Sequence, residues 1–93
     1  MHQPNEVKYA VVTADLAVAP KPGAVLYGIV CIANGTMAAI YDNASAASGN
    51  VLIPSQALTA GQSFLFGGLG VTVNAGIYAD WTSGTFLVLY QEP

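Results

Sequence analysis

Charge is what this sequence has least of. Only 8% of its 93 residues are charged and 54% are hydrophobic, whereas roughly a quarter of an ordinary soluble domain is charged. The basic residues are Lys8 and Lys21 alone, and the formal net charge is -3. Nucleic-acid binding needs clustered Lys and Arg to displace counterions from phosphates, so that function class is set aside. Histidine and cysteine occur once each, as His2 and Cys31. One cysteine cannot close an internal disulfide, and one of each cannot supply a zinc site. A Ser-His-Asp or Cys-His arrangement would have to take its base from the second residue of the chain. Gly67-Gly68-Leu69-Gly70 lies between strand patterns and opens no helix, so it is not a phosphate loop. The expectation is a protein without catalytic residues, cofactor or metal, and not an enzyme.

Address signals are missing too. The opening residues MHQPNEVKY carry neither the basic nor the apolar region of an export signal. Residues 23–41 are uncharged and mostly apolar, but Asn34-Gly35-Thr36 interrupts them. Asn-Gly between apolar runs is a hairpin signal, so the stretch predicts two antiparallel strands and not a membrane span. Cys31 sits within the first of these strands as a buried, reduced thiol, which suits a reducing cytosol.

What is present is a succession of short strand signals. Residues 8–13 (KYAVVT) are β-branched and aromatic, and 16–19 (LAVA) run into the breaker Pro20-Lys21-Pro22-Gly23. Residues 24–33 form the longest strand, on which Leu26, Gly28, Val30 and Ile32 share one face and Val25, Tyr27, Ile29, Cys31 and Ala33 the other. Further strands are expected over 36–42, 51–53, 63–66, 69–73, 77–81 and 85–90, with glycine turns between most of them. No segment has a helical period. The fold class predicted is all-β: a single antiparallel β-sandwich or jelly-roll-like domain over 9–93, with a flexible N-terminal arm over 1–8.

Two strands, 24–33 and 85–90, are apolar on both faces. An antiparallel strand with one face in water should alternate with polar residues. A chain of this length also buries only about 60–65% of its unfolded surface. The surplus apolar side chains therefore point to contacts with other subunits. Interface candidates are Gln3 and Pro4 in the arm, Val25, Tyr27 and Ile29 on the long strand, Tyr41 and Trp81 at strand ends, and Leu87 and Leu89 on the last strand.

The polar residues in the turns admit three other readings. Asp42 and Asn43, with Asn74 and Asp80, are the candidate calcium ligands, yet calcium takes about six to eight oxygens and the rest of this loop is Ala, Ser and Gly. An Asx turn accounts for Asp42-Asn43 without an ion. Trp81 beside Asp80, with Asn74 and Tyr78 nearby, has the make-up of a sugar platform, against which stands a core or interface anchor. Asn34-Gly35-Thr36 and Asn43-Ala44-Ser45 match the glycan acceptor triplet, and are read as turn chemistry.

Several stretches of this sequence carry a resemblance. They are GIVCIANG over 28–35, AIYDNASAASG over 39–49, LGV over 69–71, GIYAD over 76–80 and SGTFLVLY over 83–90. In order and type these resemble the small β-sandwich decoration or cement proteins, minor capsid proteins of tailed bacteriophages. The resemblance covers most of the chain from about residue 24 onward. It implies a non-enzymatic virion protein, made in the bacterial cytoplasm and placed on the outer surface of the capsid. Its partners would be the major capsid protein and copies of itself, as a homotrimer, with no nucleic acid and no membrane. The arm would latch onto the shell or a neighbouring subunit. The alternative is a small carbohydrate- or surface-binding module of a head or tail fibre.

Overall fold

The computed structural model describes residues 6–68 and 70–93. Within them the chain forms ten strands and no helix: β1 (Lys8–Val12), β2 (Leu16–Ala19), β3 (Val25–Ala33), β4 (Gly35–Asp42), β5 (Asn50–Ile53), β6 (Gln56–Leu58), β7 (Ser63–Leu65), β8 (Val71–Thr72), β9 (Ile77–Trp81) and β10 (Thr85–Gln91). Each expected strand has a counterpart, although that over 69–73 is reduced to β8 and Leu69 lies outside the described residues. β6 is an addition: QAL is too short, and too poor in β-branched residues, to have read as a strand.

The strands divide into two antiparallel sheets. The front sheet runs β1-β10-β3-β7, with β8 paired to the other end of the β3 edge that β7 occupies. The back sheet runs β2-β9-β4-β5, with β6 likewise sharing the β4 edge with β5. Counting each split edge once leaves four strands per sheet, and the chain passes between sheets six times. This strand order is that of a jelly roll.

The connectivity corrects one expectation. Asn34-Gly35 does not join a hairpin, because β3 lies in the front sheet and β4 in the back sheet. Neither residue has a positive φ, which the usual two-residue hairpin turn requires. Gly35 is needed for a different reason: a Cβ there would collide with the Ser83 carbonyl and the Gly84 backbone, where the β9–β10 connection crosses. The local hairpin that does form is β4–β5, around the loop over 43–49.

Between the sheets lies a core in which Leu26, Ile29, Cys31, Phe86, Val88 and Val12 of the front sheet meet Met37, Ile40, Ile53, Ile77 and Ala79 of the back sheet. Burying side chains of this size contributes about 1.5–3 kcal/mol each. Cross-strand rows explain the selection. Val12, Phe86 and Cys31 stand side by side, as do Ala10, Val88, Ile29 and Phe64.

The predicted faces of β3 also need correction, since Leu26, Ile29 and Cys31 all point inward. Leu89 is opposite Gly28 and Tyr90 opposite Leu26, so β3 carries one extra residue, Tyr27, at a bulge. An extra residue reverses the two-residue alternation beyond it. Gly28 allows this with φ of 145°, where a Cβ would strike the Phe64 carbonyl oxygen. A second extra residue, Ile32, falls between the partners of Thr85 and Phe86 and is pushed out into solvent.

Candidate functional site

Side-chain hydrogen bonds occur at both ends of the sandwich, and they hold loops together. Asp42 ends β4 and turns its carboxylate onto the β8–β9 connection. There its oxygens accept the N–H groups of Asn74 (2.9 Å), Ala75 (2.8 Å) and Gly76 (3.3 Å). Partial burial pushes this carboxyl up, but the three N–H donors together outweigh it and hold Asp42 below the ordinary carboxylate range. A carboxylate already met by amide dipoles forms a latch between turns and is poorly disposed to take a cation. Asn43 makes the expected Asx turn, its side-chain oxygen accepting from the N–H of Ser45 (2.9 Å) and Ala46 (3.0 Å). Its Nδ2 donates to Ser48, closing the YDNASAASG loop on itself. The Asx-turn reading thus holds for Asn43, while Asp42 bonds more than 30 positions away. Among the described residues no group of His, Cys, Asp and Glu is placed to hold a metal.

Trp81 is anchored from both ends. Its backbone N–H donates to Asp15 (2.8 Å), its Nε1–H donates to the Gly84 carbonyl (2.9 Å), and its ring packs against the core. A ring so committed is not a free platform for a sugar. Cys31 is buried, with its Sγ–H aimed at the carbonyls of Ala33 and Leu58.

The broad surfaces are the outer faces of the two sheets, and they differ in kind. On the front sheet the outward rows are Tyr9, Leu89, Gly28 and Leu65, then Val11, Leu87, Val30 and Ser63. Tyr9 is 66% exposed, Leu65 55%, Val11 53% and Ile32 50%. Val7, on the same side by alternation, is 54% exposed. Leu87, Leu89 and Val30 fill the middle, half-buried by their neighbours. No charged residue belongs to these rows. Lys8 and Glu92 lie at the margin, paired at 2.6 Å, and that contact raises the Lys8 pKa. The back sheet instead turns outward Ala17, Tyr78, Tyr41 and Val51, with Asp80 beside Ala39.

The nine interface candidates are therefore scattered. Leu87 and Leu89 come together at the centre of the front face. Val25 and Tyr27 lie at one end of the same strand pair, where the Tyr27 hydroxyl donates to Gln91 (2.7 Å). Tyr41 belongs to the opposite sheet and Trp81 is packed on the core. Ile29 is withdrawn from the set: the Tyr27 bulge directs it into the core, where it is fully buried. Gln3 and Pro4 lie outside the described residues, as does the arm up to residue 5; Lys8, the last residue assigned to the arm, opens β1 and pairs with Tyr90.

Sequence reasoning missed Tyr9, Val11 and Leu65, which form the flanks of the front face. The signal was available in β1, where Tyr9 and Val11 alternate with Ala10 and Val12 so that both sides of the strand are apolar. The described surface has no pocket. The chemistry of the front face is that of apolar docking between macromolecules, where area and shape carry the contact. Comparison of the chain with protein-family models, curated proteins and solved structures found no match.

Proposed function

We propose that this protein is a non-enzymatic structural component of a virion, a decoration or cement protein that binds the major capsid protein and copies of itself on the outer capsid surface. The observation that carries this reading is the charge-free, apolar outer face of the front sheet, on a domain whose ordered polar groups are spent on fastening turns. An exposed apolar face of this kind suits permanent assembly. Repetition over a symmetric shell lets many modest contacts act together. The resemblance of the strand and turn pattern to phage decoration proteins supports the same assignment.

The test is whether the protein copurifies with virus particles in a fixed copy ratio to the major shell protein. A variable, substoichiometric amount removed by mild washing would refute the assignment. Deleting residues 1–6 should leave the β domain folded and lower occupancy on particles. Unchanged occupancy would rule the arm out as the latch.

A second reading rests on Tyr41 and Tyr78, neighbours across β4 and β9 on the outer back face, with Asp80 close by. Aromatic rings beside a carboxylate suit a small carbohydrate- or surface-binding module of a head or tail fibre. Titrating the intrinsic fluorescence with sugars separates the two: a saturable change supports the module, and an unmoved spectrum removes it.

A further inference from the structure

The outer face of the front sheet has no covering element among the described residues, and its composition specifies its occupant. We propose that it is a self-association surface, on which two copies of this chain pack front sheet to front sheet across a two-fold axis. This rests on the self-contact in the decoration reading and names how two copies meet; its test needs no particle, so its failure is distinguishable from failure of the capsid contact.

Three observations carry the proposal. The first is area. Five large apolar side chains, Val7, Tyr9, Val11, Ile32 and Leu65, are each half or more exposed, and Val30, Leu87 and Leu89 lie between them. Together they present on the order of 500 Å² of apolar surface, near the upper end for the largest patch on a typical monomer. A standard interface buries about 800 Å² per partner, so pairing through this face falls among the smaller, concentration-dependent interfaces.

The second is charge. The chain has a net charge of -3, which would ordinarily oppose self-contact, but none of it lies in the outward rows. At the margin of that face Lys8 pairs with Glu92 and also feels Glu6 beside Val7, so charges of both signs lie there. Two copies can therefore approach face to face without burying a charge or opposing like charges.

The third is symmetry. A closed ring of three uses two different patches, each fitting the other on the next subunit, whereas a two-fold pair uses one patch twice. Among the described residues the front face is the more extensive apolar one. The opposite face, with Tyr41, Tyr78 and Asp80, is not its complement. Side chains of two apolar sheet faces interdigitate at a spacing of about 10 Å, as in the core of a sandwich. The front face thus selects a dimer where the family resemblance implies a trimer.

The experiment is sedimentation and light scattering on the full chain over a wide range of concentration, with no particle present. The expected mass is twice the 9.5 kDa of one chain. V11K and L87K, each placing a cation on the front face, should both return the mass to that of one chain while the far-UV circular dichroism is unchanged. Y78K, on the back face, should leave the dimer intact. V11K alters a residue already half in solvent, so it remains decisive even where L87K fails to fold. A single-chain mass at every concentration, a three-chain mass, a dimer that survives V11K, or a dimer lost on Y78K would each overturn the proposal.

Discussion

The two sheets have inner faces of one kind and outer faces of two kinds. Inside, both contribute aliphatic side chains and a single core results. Outside, the back sheet shows water Val51, Tyr41, Tyr78 and Asp80, and the front sheet shows it Tyr9, Val11, Ile32 and Leu65. The back sheet mixes two phenols and a carboxylate with its apolar side chains. The front sheet has the composition of a layer covered on both sides. The same strand, β10, makes the contrast sharpest, because Phe86 and Val88 are sealed in the core while Leu87 and Leu89, alternating with them, face outward. Residue type does not separate these four. Only the side of the sheet does, and the stability they contribute to one chain should differ accordingly.

Substitutions on either side of β10 break the comparison most directly. Phe86→Ala should cost about 3–5 kcal/mol, read as a lower midpoint in urea unfolding. Leu87→Ala beside it should cost less than a third as much under conditions where the chain is monomeric. Equal losses would mean that the outer face is already covered within the chain.

A smaller effect is expected from the bulge that sorts β3 into its inward and outward residues. Gly28→Ala forces a side chain into left-handed φ against the Phe64 carbonyl. It should cost about 1–3 kcal/mol. The associated readout is the accessibility of Cys31 to a thiol reagent, which should rise if the bulge slips.

Asp42→Ala leaves three N–H groups of the β8–β9 turn without their acceptor. With this end partly open to water, which takes over some of those bonds, the loss should be about 1 kcal/mol. The pH dependence has a definite sign. The folded pKa of Asp42 is lowered, so its contribution is complete above the unfolded value of about 3.9. It is lost as the pH falls through the lower, folded value. Acid unfolding curves of the wild type and Asp42→Ala should therefore converge at low pH, and curves that stay parallel would show that the carboxylate is not the latch.

The smallest effect concerns the margin of the front face. Lys8→Gln removes an exposed ion pair with Glu92, and such pairs contribute little and are screened by salt. The melting temperature should be unchanged at physiological ionic strength. A clear drop would mean that the pair pins β1 to β10.

The strand positions were legible because each carries β-branched or aromatic residues and most are bounded by glycine, proline or asparagine, as in residues 77–81 between Asn74-Ala75-Gly76 and Thr82-Ser83-Gly84. The Asx turn at Asn43 was legible for the same local reason. Sheet membership was not. Asn34-Gly35 reads as a hairpin in any one-dimensional scan, and only the close crossing of residues 83–84 shows why a glycine stands there. The faces of β3 were misassigned because a bulge has no reliable local signature, and one extra residue exchanges inside for outside. Asp42 read as a loop residue because its partners lie more than 30 positions further along the chain.

By itself the sequence determined that this is an all-β chain of short strands with too little charge to clothe it. That follows from local propensity, turn chemistry and composition, none of which needs a partner. The tertiary structure decided which apolar residues are core and which are surface, through pairings such as Tyr9 with Leu89 and bulges such as that at Tyr27. The reason is that burial is a property of both strands in a pair and of the sheet behind them, and in a jelly roll those neighbours come from opposite ends of the chain.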